Sequence, residues 1–126
     1  MALIRSFRDL HVYQRARVEA KRVFDISSGF PKNETYSLTD QIRRSSRAVN
    51  AMVAEAWARR RYEAAFVNKL NEALGEAMET QAWLDHALDC TYIMQETHRE
   101  FDNAWQEVGA MLQGMIEKSQ TFCPAH

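Results

Sequence analysis

The chain predicts an all-α fold, an up-and-down antiparallel four-helix bundle. Apolar residues recur at helical spacing along most of its 126 residues. Four glycines and two prolines leave few turns, which favours long helices over many short strands. Segments of roughly 20–27 residues joined by short connections pack as antiparallel neighbours. A hydrophobic share of 46% with 26% charged residues is that of one globular core, not of a disordered chain. The expected single domain covers residues 1–120, followed by a loose C-terminal tail at 121–126.

At about 100° per residue, Leu10, Tyr13, Ala16, Ala20, Val23, Phe24 and Ser27 share the inner arc of the first helix. His11, Arg15, Glu19 and Arg22 share the outer arc. Ser6 and Asp9 make a capping-box pattern ahead of it, and Ser28-Gly29-Phe30-Pro31 stops it. The second helix starts near Ser37 and buries Leu38, Ile42, Ser45, Val49, Met52, Val53 and Ala56. No glycine or proline separates it from the third. The next stripe, Tyr62, Phe66, Leu70, Ala73, Ala77, Leu84 and Leu88, is nevertheless rotated by roughly 80° from its continuation. That phase change places a break at Arg59-Arg60-Arg61. The third helix runs to about Cys90, and Thr91 to Thr97 connect it to a fourth. The fourth buries Phe101, Ala104, Trp105, Val108, Met111, Leu112, Met115 and Ile116.

Charge is divided between the halves. Residues 1–70 hold fourteen Lys/Arg and seven Asp/Glu, a balance of +7; residues 71–126 hold two and ten, a balance of −8. Such a division suits a nucleic-acid-facing surface or two surfaces that meet each other. The pI near 6.4 lies below the range of dedicated nucleic-acid binders. The opening Met1–Phe7 lacks the apolar run of a signal peptide, and no window approaches the roughly 20 apolar residues that span a bilayer. Cys90 and Cys123 have neither metal-type spacing nor secretory context, so a reducing cytoplasm is the expected setting.

Arg43, Arg44 and Arg47 share one outward arc of the second helix, and Arg59, Arg60 and Arg61 cluster at its end. Guanidinium groups contact phosphate in bidentate fashion, and a row of them tracks a nucleic-acid backbone. Aromatic residues for base stacking are not interleaved among them. The alternatives are pairing with Glu72, Glu76 and Glu79 of a neighbouring helix or subunit, or plain solvation. Ala51, Ala54 and Ala58 beside the arginines admit a close helix, and Trp83 within the acidic arc reads as an interface anchor. These residues form the expected subunit interface.

Catalytic and metal chemistry find little support. There is no Gly-x-Ser-x-Gly, no phosphate-cradling glycine loop and no Cys–His pair in a recognisable context. A di-iron bundle needs Glu-x-x-His pairs, and none occurs. His86, Asp89 and Cys90 share a helix edge with no evident partner from another helix, so neither a metal nor another cofactor is expected. Glu55, near the apolar arc, reads as a capping residue or the partner of an arginine, and the six methionines as core filler.

Leu10-His-Val-Tyr-Gln-Arg-Ala16, Phe30-Pro31 with Glu34, Leu38-Thr-Asp-Gln-Ile-Arg-Arg44 and Ala54-Glu55 occur in order, followed by Ala73-Leu-Gly75, Glu79 and Leu84. Over roughly residues 7–116 the chain resembles the bacterial four-helix-bundle proteins first noticed as products of intervening sequences within 23S ribosomal RNA genes. The family usually carries Asn-Ile-Ala-Glu-Gly where this chain has Met52-Val-Ala-Glu-Ala56, which removes a glycine that would loosen the end of the second helix. The resemblance implies a homopentameric ring without established enzymatic activity. Relatives similar in fold serve retroelement reverse transcriptases, which implies RNA or a nucleic-acid-processing protein as the partner class. The function expected is a non-enzymatic ring that binds RNA. The alternative is a protein-only scaffold whose basic face is used in assembly, and a metal-binding or catalytic bundle ranks third.

Overall fold

The computed structural model describes residues 3–124. Four long helices, α1 (His11–Ser27), α2 (Leu38–Ala58), α3 (Glu63–Asp89) and α4 (Gln95–Glu117), precede a single turn, α5 (Ser119–Phe122). Short 3-10 turns lie at Phe7–Asp9 and Lys32–Glu34, and no strand occurs among the described residues. Each long helix packs on its chain neighbours, α1 closes on α4, and the diagonal pairs stand apart. The fold is the expected all-α bundle.

Trp105, Phe66, Ile42, Leu70, Leu84 and Leu112 are fully buried at its centre. Two polar side-chain contacts of the interior tie the helices together. The Ser45 and Thr80 hydroxyls lie 2.8 Å apart between α2 and α3, and Asn50 Nδ2 donates to the Tyr13 carbonyl at 3.0 Å, tying α2 to α1. The break at Arg59–Arg61 stands where the phase change put it, between α2 and α3. The α3 stripe begins one turn later than expected: Tyr62 is the N-cap and 62% exposed, whereas Phe66 is buried. Ala56, at the position of the family's glycine, is fully buried, and α2 continues past it to Ala58.

Several ends differ from expectation. The Ser6–Asp9 box caps the 3-10 turn, and α1 starts only after it, at His11. Gly29 needs no left-handed backbone, because Ser28 closes α1 in an ordinary helical conformation. The α3–α4 connection turns instead on Thr91, whose φ of 61° is left-handed. Its N–H donates to the Leu88 carbonyl and that of Tyr92 to Ala87, the paired bonds of a Schellman cap. Helix α4 then begins at Gln95, inside the expected connection. The tail expected to be loose from residue 121 opens within α5: Phe122 stacks near-parallel on Phe66 at 6.0 Å, and Ser119 donates to Glu63. An apolar ring one turn past α4 gains cover by folding back. Residues 125 and 126 lie outside the described residues.

Glu19 is the clearest correction. Its place on the outer arc of the helix predicts exposure, yet it is 4% exposed. The buried stripe of α1 is Val12, Ala16, Glu19, Val23 and Ser27, rotated by roughly 60° from the expected arc. The cause is α4, which packs against the edge that carries the charges. Arg15 Nε and Arg22 Nη1 hold the Glu19 carboxylate at 3.3 and 2.9 Å. Arg15 also reaches Glu107 of α4 at 2.6 Å, and Arg22 pairs with Glu100. The α1–α4 seam is thus an alternating ladder of five charges, and the bond to Glu107 leads in raising the Arg15 pKa. Glu19→Ala should lower stability by about 1–2 kcal/mol, less than the ~3–5 of a fully buried pair, because both arginines keep water and an α4 partner. A lower urea midpoint at constant m-value is the expected reading; an unchanged midpoint would show the ladder to be decorative.

A basic and aromatic face as the candidate functional site

One cleft lies between α1 and α2, and a second adjoins it where α2 meets the loop that precedes it. The first, of about 450 Å³, is lined by Tyr13, Arg17, Ala20, Lys21, Phe24, Arg47 and Asn50. The second, of about 540 Å³, is lined by Thr35, Tyr36, Thr39, Asp40, Arg43, Arg44 and Arg47. Arg47 belongs to both and makes them one surface. Phe24, expected in the core, is only half-buried and lies under cations: Arg43 at 4.4 Å from the ring centre, Arg47 at 5.5 Å and Lys21 at 5.8 Å. Tyr36, at the far edge, is 94% exposed.

Arg43, Arg44 and Arg47 do come together, but their states differ. Arg43 is half-buried and structural: its guanidinium donates to Ser27 Oγ, Ser28 Oγ and the Phe24 carbonyl, covering the end of α1. Arg44 is exposed and donates to Gln41 Oε1 at 2.8 Å. Arg47 is exposed and rests on Phe24. Arg17, which sequence reasoning did not single out, lines the same surface. Among the described residues none of these four arginines forms an ion pair with a carboxylate; Arg15, Arg22, Lys21 and Lys69 all do. The aromatic residues absent from the arginine sequence are supplied by the neighbouring helix and loop.

Arg59, Arg60 and Arg61 sit at the opposite end of α2, in the turn before α3, and form a separate cluster. Arg60 stacks on Trp57 at 3.6 Å and donates to its carbonyl. Arg61 lies 5.8 Å from the Tyr62 ring.

The residues expected at a subunit interface run along α2 and α3. Ala51 and Ala58 are exposed and Ala54 half-covered. Glu72 is engaged within the chain by Lys69 at 3.0 Å, which also reaches Glu55 at 3.4 Å; Glu55 thus pairs with a lysine where an arginine was expected. Partial burial, with Glu79 nearby, raises the Glu76 pKa, and Arg44 opposes the shift. Trp83 is half-buried and donates to Glu79 Oε1 at 3.3 Å. It lines an open cleft of about 420 Å³ with Tyr36, Gln41, His86 and Cys90. Glu34, which also lines it, accepts from Ser37 and Tyr92, bonds that hold its carboxyl below the ordinary range. The Tyr92 hydroxyl is correspondingly pushed up to about 12.

His86, Asp89 and Cys90 are exposed on the last turns of α3, and their donor atoms do not gather into a ligand set among the described residues. No helix among those residues is long and apolar enough to cross a membrane.

The same chain pattern is found in known proteins. A crystal structure of a protein of unknown function from the S23 ribosomal protein family of Bacteroides thetaiotaomicron VPI-5482 is 29% identical, with a TM-score of 0.77. The likeness covers 84% of this chain and 95% of that one. No curated protein matches the chain. The family model described as 23S rRNA-intervening sequence protein matches residues 8–114. With its bundle, its Gln41-Ile-Arg-Arg44 element and a match over most of its length, the chain belongs to the family of 23S rRNA-intervening sequence proteins.

Proposed function

We propose that the protein is a non-enzymatic, ring-forming interaction protein of the cytoplasm that contacts RNA, alone or within an RNA–protein complex, through the α1–α2 face. One observation carries this reading: Arg17, Arg43, Arg44 and Arg47 share a surface with Phe24 and Tyr36, and among the described residues none forms an ion pair with a carboxylate, Arg44 acting on Glu76 only at longer range. Guanidinium groups without ion-pair partners, beside the exposed Tyr36 ring, suit a phosphate backbone with an unstacked base. Elsewhere in the basic half Arg15 and Arg22 are engaged in the α1–α4 ladder, Lys21 by Asp25, and Lys69 by Glu55 and Glu72. Binding of a short labelled RNA across a salt series, with and without charge reversal on this face, tests the reading.

The ring, taken as a homopentamer, uses the α2–α3 side in this proposal. Supporting it are the open Trp83 cleft, the exposed Ala51 and Ala58, and Gly75, where an added Cβ would meet nothing within 4 Å. Because Glu72 and Glu79 are engaged within the chain, the contact rests on Trp83 and small residues more than on arginine–glutamate pairing. Trp83→Glu should convert the assembly to monomers by light scattering; an unchanged mass would place the interface elsewhere, and a wild-type monomer at high concentration would remove the ring.

A further inference from the structure

We propose that Asp85, His98 and Asp102 form a site for one zinc-class divalent cation that bridges α3 and α4. His98 and Asp102 are four residues apart on α4, hence on one face, and Asp85 approaches from α3. Their donor atoms all lie within 4.8 Å of one another. His98 Nε2 and Asp85 Oδ1 are 2.8 Å apart.

A tetrahedral zinc ion with ligand bonds near 2.1 Å holds its donors about 3.4 Å apart, so modest rotations bring this set onto one ion. The components differ in exposure. The His98 side chain is 18% exposed, whereas that of Asp85, held by its bond to His98, is 65% exposed. Asp102 is oriented from behind: Gln81 Nε2 donates to its Oδ1 at 3.2 Å and bonds Gln106 Oε1 at 3.1 Å, leaving Oδ2 for the ion. This is the outer support that metal-binding carboxylates commonly have.

Electrostatics favour a cation here. Among the described residues no lysine or arginine pairs with Asp85 or Asp102, and the site lies in the acidic half of the chain. The imidazole shares the site with two carboxylates, one from each helix. One imidazole and two carboxylates suit zinc and its first-row neighbours better than calcium, which takes six or more oxygens. The site straddles the α3–α4 connection, Asp85 one turn before it and His98 one turn after. A bound ion would clip that hairpin and keep outward positions for water or a partner's donor.

The test is titration of metal-stripped full-length protein with zinc chloride, read by calorimetry and by thermal melting. One equivalent per chain and a raised Tm are expected. His98→Gln and Asp102→Asn should each abolish both effects, and Gln81→Ala should weaken binding roughly tenfold by releasing Asp102. His86→Gln, which leaves the cluster intact, should bind like wild type. Circular dichroism and metal-free melting verify that each variant is folded. The proposal is overturned if wild type takes up no zinc, if His98→Gln or Asp102→Asn retains it, if His86→Gln loses it, or if calcium binds equally well. A folded Asp85→Asn variant that loses stability in the absence of any zinc effect would show His98–Asp85 to be a plain ion pair.

Discussion

Reversing Arg17 and Arg47 to glutamate together is expected to abolish RNA binding and leave the bundle folded. Both are exposed, neither holds a carboxylate, and Arg47 joins the two clefts. Arg43 is the wrong residue for this experiment despite its place in the arginine row. Its three bonds close the end of α1, so Arg43→Glu would loosen the fold and reduce binding for the wrong reason. Four arginines on a single-stranded backbone give a log–log salt slope of about −3, a loss of roughly 50-fold between 50 and 200 mM salt. Tyr36→Ala should weaken single-stranded RNA more than duplex, because only unpaired bases offer a face for stacking. Binding that ignores salt, or that survives Arg17→Glu/Arg47→Glu, would sink the assignment. Loss on reversing Arg59 and Arg61 alone would move the site to the turn before α3.

What the sequence made legible was periodic and local. The phase change at Arg59–Arg61 located a helix break that no glycine or proline marked, because two buried stripes must each face the core. Phase could not say which neighbour lies over the edge of a stripe. Glu19 sits at such an edge, and only the approach of α4, carrying Glu100 and Glu107 from the far end of the chain, turns it inward. Phe24 failed in the opposite direction: its place on the inner arc is correct for a helix wheel, yet α2 covers it with guanidinium groups. The Asp85–His98–Asp102 cluster was invisible for the same reason, since its members meet across two helices. Thr91 hid a Schellman turn because its left-handed backbone is usually signalled by glycine. The arginine face was half legible, with the charges readable along α2 and their aromatic company supplied by other elements.

Trp105 carries the largest expected change in stability. It is fully buried, at the α3–α4 contact, beside Leu74, Ala77 and Gly109. On one side it lines a cleft of about 260 Å³ with those residues. Trp105→Ala should cost about 3–5 kcal/mol, the transfer free energy of the ring plus the cavity it leaves. Trp105→Phe should behave differently. The indole Nε1 is buried and has no acceptor among the described residues, so phenylalanine forfeits no protein hydrogen bond. Removing a desolvated N–H recovers about 1–3 kcal/mol, which offsets a cavity and transfer loss of similar size and leaves Trp105→Phe within about 1 kcal/mol of wild type. Urea unfolding of the three proteins at equal protein concentration decides the matter. If Trp105→Phe falls as far as Trp105→Ala, Nε1 makes a bond that matters, and the indole is a polar anchor of the α3–α4 contact as well as its largest apolar filler.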